Sequence, residues 1–246
     1  MNFQEKNIRI GQNVALGENI SIGFNAIIMD SCAIRNNVTI GNNCIIYPNT
    51  WIEEGATIQD NVILGKQPRS LSTSTFQLHE RGKTIIGSGS LICAAAIVYA
   101  GTTIGKKNIL GDNVIVREGC VFGENVKIGK SSIVEFDVQM GNNVAVQTQA
   151  LIAEKSILED FVFIGPNVSM ALDKYMARKG NPLNPVRIKR GAAVGANSTI
   201  LPGVVLGENV LVGAGSIINK PLEANFVYIG NPLRKFRAVK EDEIKK

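Results

Sequence analysis

The sequence predicts an all-β solenoid, and three features carry that prediction. A six-residue period of large apolar residues runs through nearly the whole chain. Small or β-branched residues sit two places before nearly all of them, and glycine and asparagine recur in the intervals. Read at every sixth position, the period begins at Ile10, Leu16 and Ile22 and continues unbroken to Leu64. It resumes at Ile86 and runs to Met170, then returns from Ile188 to Ile218. Repetition at a fixed interval is the signature of stacked short units.

Each hexad specifies a very short strand and a turn. Residues two apart in a strand share a face, so the large residue and its small predecessor (Ile8, Val14, Ile20, Ala26, Cys32) both point inward. The residue between them points out. Turn positions such as Asn13, Asn25, Asn43 and Asn61 tolerate the positive φ that a tight corner demands. A helix is excluded, because a 3.6-residue period would scatter the apolar set around its circumference.

Repeats such as IGQNVA from Ile10, LGENIS from Leu16, IGNNCI from Ile40 and VGANST from Val194 resemble those of the left-handed β-helix acyltransferases of the hexapeptide-repeat family. The resemblance covers residues 8–233 and implies three hexads to each triangular coil. The blocks hold ten, fifteen and six hexads, thirty-one in all, or about ten coils. The expected organisation is a left-handed parallel β-helix over 1–221, interrupted by loops at 66–83 and 172–186. A short cap follows over 222–246, helical at 234–245.

Composition narrows the function classes. The net charge of +5 is mild and the basic residues are scattered until the C-terminus, which predicts no nucleic-acid surface but does predict an anionic ligand. The four cysteines (Cys32, Cys44, Cys93, Cys120) lack CxxC spacing, and three occupy inward small-residue positions, so packing is their expected role. No signal peptide precedes the first repeat, and the apolar run near 91–100 is too short to span a membrane. A cytoplasmic protein without membrane partners is expected.

Both loops are polar, contain Pro or Gly, and leave after hexads of the same phase, those of Leu64 and Met170. Long loops on a rigid scaffold are where binding and catalysis concentrate. The outward residues of that phase are Ile27, Ile45, Ile63, Ile97, Ile115 and Ile133, then Leu151 and Leu211. Such an apolar stripe predicts either an interaction surface or a bed for the loops. The resemblance implies homotrimers of parallel prisms, which the stripe would serve.

At the adjacent corner stack Tyr99, Arg117, Glu135 and Ala153, where the position is elsewhere mostly glycine or a small polar residue. This column is the candidate active site. The alternative is a surface Arg117–Glu135 ion pair of small consequence.

Acyl transfer from a thioester needs a nucleophile able to lose a proton and donors for the oxyanion. The chain has one histidine, His79, in the first loop. The γ-type carbonic anhydrases share the prism but require three zinc-binding histidines, so that activity is excluded, and no Cys/His metal cluster is present in the sequence. The lipid A type UDP-N-acetylglucosamine O-acyltransferases are similar near the first loop, where a base histidine precedes Arg-Gly-Thr. Here the string is Tyr99-Ala100-Gly101-Thr102. A phenol is a poor base at neutral pH.

Residues 192–237, with Gly230-Asn231-Pro232 followed by basic residues, resemble the nucleotide-sugar N-acetyltransferases. Members acting on 3-amino sugars dispense with a catalytic histidine, because an amine attacks acyl-CoA directly. The resemblance implies that Glu135 accepts or orients the amine proton, with Gln147, Thr148 and Gln149 one face on. Tyr99, Arg117 and Arg69 would contact substrate. It places acetyl-CoA along the C-terminal coils, its pantetheine arm beside Gly195, Ala196, Gly213 and Ala214 and its phosphates on cations such as Lys220 and Lys235. The expected activity is therefore N-acetylation of a nucleotide-linked deoxyamino sugar, a dTDP-3-amino sugar foremost. The alternatives are O- or N-acylation of a UDP-amino sugar with His79 as base, and a non-catalytic scaffold.

Overall fold

The computed structural model describes residues 5–69, 81–171, 173–175, 178 and 184–245, and these form two compact units, 1–125 and 126–246. Each unit is a parallel β-helix built as the hexads predict, and the fold class is the left-handed β-helix of hexapeptide repeats.

In the first unit the strands Arg9–Ile10, Ile27–Ile28, Ile45–Ile46, Ile63–Lys66, Ile97–Tyr99 and Ile115–Val116 stack as one parallel sheet. Two further sheets of the same kind start at Ala15–Leu16 and Ser21–Ile22. In the second unit the corresponding sheets start at Ile133–Val134, Gln139–Met140 and Lys127–Ile128. The first-phase sheet has six strands in one unit and five in the other, one more than ten coils supply. Thirty-one hexads begin and end on the same phase, so that phase gains the extra strand.

Packing follows the period closely. Ile28, Ile46, Leu64, Val98 and Val116 are all no more than 1% exposed, as are the small residues Ala26, Cys44 and Val62. The corners take positive φ at asparagine, at 57° for Asn25, 55° for Asn43 and 61° for Asn61. Their side chains form a ladder in which each amide donates to the next Oδ1, Asn25 to Asn43 at 3.1 Å and Asn43 to Asn61 at 3.3 Å. Thus one residue type both permits the corner and ties successive coils together.

The cysteines pack as expected. Cys32, Cys44 and Cys120 are buried and Cys93 is half-buried, all as free thiols. The thiols of Cys32 and Cys44 donate to the carbonyls of Tyr47 and Gln59, and burial pushes both above the ordinary thiol range.

Two expectations need correction. The apolar stripe holds through Ile27, Ile45, Ile63, Ile97 and Ile115 in the first unit and Ile133 and Leu151 in the second. It then turns polar at Ser169 and Thr199. Leu211 lies in the third-phase sheet, beside Ala193. The second loop adds twelve residues to the 18-residue step, so Ser169 pairs with Thr199 thirty positions on.

The helix expected at 234–245 is a strand, Arg234–Ala238, antiparallel to Phe226–Ile229, followed by a single 3-10 turn at Glu241–Glu243. The strand Phe226–Ile229 extends the third sheet and would otherwise leave its edge open, so the next segment pairs with it. Arg237 clamps Glu243 with two hydrogen bonds at 2.6 and 2.8 Å, and the Glu243 backbone partner is Lys240 N–H at 2.8 Å. The Arg237 bond chiefly holds the Glu243 carboxyl down at about 2. A depressed carboxyl stabilises the cap above its ordinary range near 4.5 and loses that contribution as pH falls toward 2. Amide exchange in 234–245 should therefore accelerate between these limits, whereas Glu243→Gln should make it high and flat. An unchanged profile in the variant would contradict the latch.

Candidate active site

The first loop leaves the solenoid through a β-bulge. In the strand Ile63–Lys66, Leu64 pairs with Val98 but Lys66 pairs with Tyr99, leaving Gly65 unmatched. Gly65 has φ +74°, and a Cβ there would strike Thr50 Oγ1. Thr50 is fully buried and its hydroxyl donates to the Tyr47 carbonyl at 2.7 Å. Only glycine fits, and the bulge re-aims Lys66 toward Tyr99.

Tyr47, Gly65 and Tyr99 occupy the same corner in successive coils, since Tyr47 N–H bonds to Leu64 O and Ala100 N–H bonds to Lys66 O. The glycine thus leaves a gap between two phenol rings, two strand spacings of ~4.8 Å apart along the stack. A pocket of about 360 Å³ opens there, lined by Tyr47, Lys66, Gln67, Arg69 and Tyr99. Two aromatic faces, one amide and two cations suit a ligand that joins a planar polar ring to anionic groups.

One wall is held from behind. The Lys66 ammonium lies 5.3 Å from the Tyr99 ring centre and the Arg117 guanidinium 5.2 Å from it. Arg117 is itself fixed by a two-point bond to Glu118, Nε to Oε2 at 2.8 Å and Nη2 to Oε1 at 3.0 Å. Glu118 is fully buried, and the Arg117 carbonyl accepts the buried Thr102 hydroxyl at 2.8 Å. Arg117 therefore pairs with a core carboxylate at the neighbouring residue.

In the second unit, Glu135 follows the strand Ile133–Val134 and is half-buried, with its N–H on Ile152 O at 3.0 Å. Gln147, Thr148 and Gln149 follow the strand Ala145–Val146, which is two strands past Glu135 and not the next one. Their corner is shared with Gly195, Ala196, Gly213 and Ala214, which follow the next strands but one and two of the same sheet. Predicted substrate and cofactor residues therefore fall in one column. The two glycines there have a structural cause of their own. A Cβ on Gly195 would press on the Ala214 backbone, and one on Gly213 would meet Ile229 Cγ2 at 2.9 Å.

The expected phosphate cations do not share that corner. Lys220 is exposed after the first-phase strand Ile217–Ile218. Lys235 lies on the terminal hairpin, bonded to Glu223 at 2.7 Å and 3.4 Å from the Phe226 ring centre. His79 lies outside the described residues. No group of three or more metal-ligating side chains occurs among the described residues, and none of their helices is long and apolar enough to cross a membrane.

Of the expected residues the structure brings together Tyr99, Arg117 and Arg69, and beside them stand Tyr47, Lys66, Gln67 and Glu118, which the sequence reading did not single out. Tyr47 was within reach, because extending the Tyr99–Arg117 column backward by the repeat meets Gly65 and then Tyr47.

Comparison with known proteins agrees with this architecture. The family described as bacterial transferase hexapeptide (six repeats) matches residues 19–54 and 185–220. A galactoside O-acetyltransferase of Escherichia coli K12 is 31% identical over 99 residues, 35% of this chain and 49% of that protein. A dTDP-3-amino-3,6-dideoxy-alpha-D-galactopyranose 3-N-acetyltransferase of Aneurinibacillus thermoaerophilus is 43% identical over 47 residues, 19% of this chain and 24% of that protein. Among solved structures, a galactoside acetyltransferase in complex with coenzyme A superposes with a TM-score of 0.43 at 27% identity, covering 50% of this chain and 66% of that one. The chain spans about half or less of the length of these curated relatives. Over residues 19–54 and 185–220 the hexads match the family model, and in their six-residue period the chain is similar to the hexapeptide-repeat transferases.

Proposed function

We propose that the protein is an acyl-CoA-dependent N-acyltransferase that acetylates the amine of a nucleotide-linked deoxyamino sugar. The observation that carries this reading is the pocket between Tyr47 and Tyr99, whose rings, Gln67 amide and Lys66 and Arg69 cations suit a base and a diphosphate. The relatives named above support it, one as an acetyltransferase of a galactoside and one as an N-acetyltransferase of a dTDP-3-amino sugar.

In this reading the amine attacks the thioester carbonyl, the carbon–sulfur bond breaks, and coenzyme A leaves as its thiolate. Backbone amides stabilise the oxyanion. Glu135 accepts or orients the amine proton, which ends on the departing thiolate, with Gln147, Thr148 and Gln149 as further contacts. Acetyl-CoA runs along the corner of Gly195, Ala196, Gly213 and Ala214, where backbone approach is close, and Lys220 and Lys235 meet its phosphates from outside that corner. The isoleucine stripe of the first unit joins three copies into a trimer, and the enzyme works in the cytoplasm.

Thiol release from acetyl-CoA, run against dTDP- and UDP-linked 3-amino, 4-amino and unaminated sugars, tests the proposal. Release with one amino sugar and none with its hydroxyl counterpart is the expected result. Release with unaminated sugars would replace it with O-acylation, for which His79 is the base to test.

A further inference from the structure

The pocket between Tyr47 and Tyr99 holds two cations and no carboxylate. Elsewhere Lys106, Arg117, Lys235 and Arg237 are each taken up by a glutamate. Neither Lys66 nor Arg69 meets a carboxylate among the described residues.

The two ends of the first loop reinforce this charge. The return strand Thr84–Ile86 pairs Thr84 with Thr50. A Cβ on Gly65 would stand 3.5 Å from Thr84 Oγ1 as well as against Thr50. Exit and return therefore meet at Gly65, beneath the gap between the two phenol rings. Residues 66–69 and 81–83 carry Lys66, Arg69, Arg81 and Lys83 and no acidic residue. Lys83 is held over the Trp51 ring at 3.3 Å, and the Arg81 stem packs against Gly101. Both contacts lie on the coils that bear Tyr47 and Tyr99. Cations gathered in this way favour an anion of more than one charge.

The lining offers no carboxylate to an ammonium, and its cations repel one. Its contacts therefore fall on the nucleotide half of the acceptor, which acylation leaves unchanged. Interactions equal in substrate and product lower KM without speeding the chemical step, and they hold the product as firmly as the substrate. Acylation also removes the positive charge that the cations oppose, so the product binds at least as well.

We propose that this pocket binds a nucleoside diphosphate in its own right, so that the acceptor site is inhibited both by its N-acylated product and by the free diphosphate. The inference rests on the N-acyltransferase reading. The reaction class that consumes the product is glycosyl transfer, in which the acylated sugar passes to a hydroxyl and the nucleoside diphosphate leaves the anomeric carbon. The product accumulates when that step stalls and the diphosphate when its removal lags, and either one slows acylation.

Calorimetric titration with dTDP, dTMP and thymidine, and with the uridine series as counterpart, tests the ligand class. One diphosphate should bind, its monophosphate about tenfold and its nucleoside about 10²-fold more weakly, and Lys66→Ala, Arg69→Ala should erase that order. In the thiol-release assay, with an amino sugar that the wild type acylates, the same diphosphate should compete with the nucleotide sugar and not with acetyl-CoA. Its inhibition constant should lie within about threefold of the product's. Equal binding of nucleoside and diphosphate, or competition with acetyl-CoA, would overturn the inference and leave the N-acyltransferase reading intact. Inhibition by the product but not by the diphosphate would overturn it too, placing the affinity on the sugar. Diphosphate binding without turnover of any amino sugar would sink the N-acyltransferase reading and support the nucleotide site. Absence of both would overturn the two together.

Discussion

Arg117→Met lowers the stability of the protein by about 3–5 kcal/mol, the cost of leaving a buried ionised partner alone. The partner is Glu118, which is fully buried and accepts two hydrogen bonds from Arg117. Methionine keeps most of the arginine stem's packing, so the loss reports on charge and hydrogen bonding and not on volume. The double variant Arg117→Met, Glu118→Leu should recover most of it, since an apolar pair of similar size often matches a buried ion pair. Urea unfolding of the two variants checks both statements. A single-variant loss below about 1 kcal/mol would mean that the pair behaves like a surface bridge. The wall of the pocket would then lack the anchor assigned to it.

Gly65→Ala is expected to be the most damaging one-methyl change in the first unit. The added carbon meets Thr50 Oγ1, an immobile buried hydroxyl, and the backbone stands at φ +74°. Overpacking and a left-handed alanine together cost about 2–4 kcal/mol. The functional consequence follows from the register. Without the bulge, Lys66 no longer stands opposite Tyr99, and the gap between Tyr47 and Tyr99 fills. Acceptor affinity should fall by about tenfold while acetyl-CoA affinity holds, the signature of a lost contact of ~1.4 kcal/mol. Wild-type stability in this variant would show that the bulge relaxes at no cost.

The strands were legible because one rule repeats. The coils place the same residue classes inside, so Ile22 and Ile218 could be assigned by the same count. Features that interrupt the rule were legible only in part. The bulge takes one residue out of register, so Lys66 looked like the start of a loop although it ends a strand. Glu118 and Glu154 occupy a turn position that faces solvent in most hexads, yet at their corner Ala100 and Phe136 are buried as well. The terminal segment was charged enough to suggest a helix, yet an open strand edge at Phe226–Ile229 decided its conformation. Tyr99 and Arg117 stood out because large side chains break the pattern of small corner residues.

The central claim is that the pocket between Tyr47 and Tyr99 receives the acyl acceptor. The most direct measurement is the pair of Michaelis constants of Lys66→Ala, Arg69→Ala, which removes both cations of the pocket and spares the solenoid. Loss of two phosphate contacts predicts a KM for the nucleotide sugar raised by about 10²-fold or more, with KM for acetyl-CoA unchanged. An unchanged acceptor KM, or a rise confined to acetyl-CoA, would place the acceptor elsewhere and contradict the account.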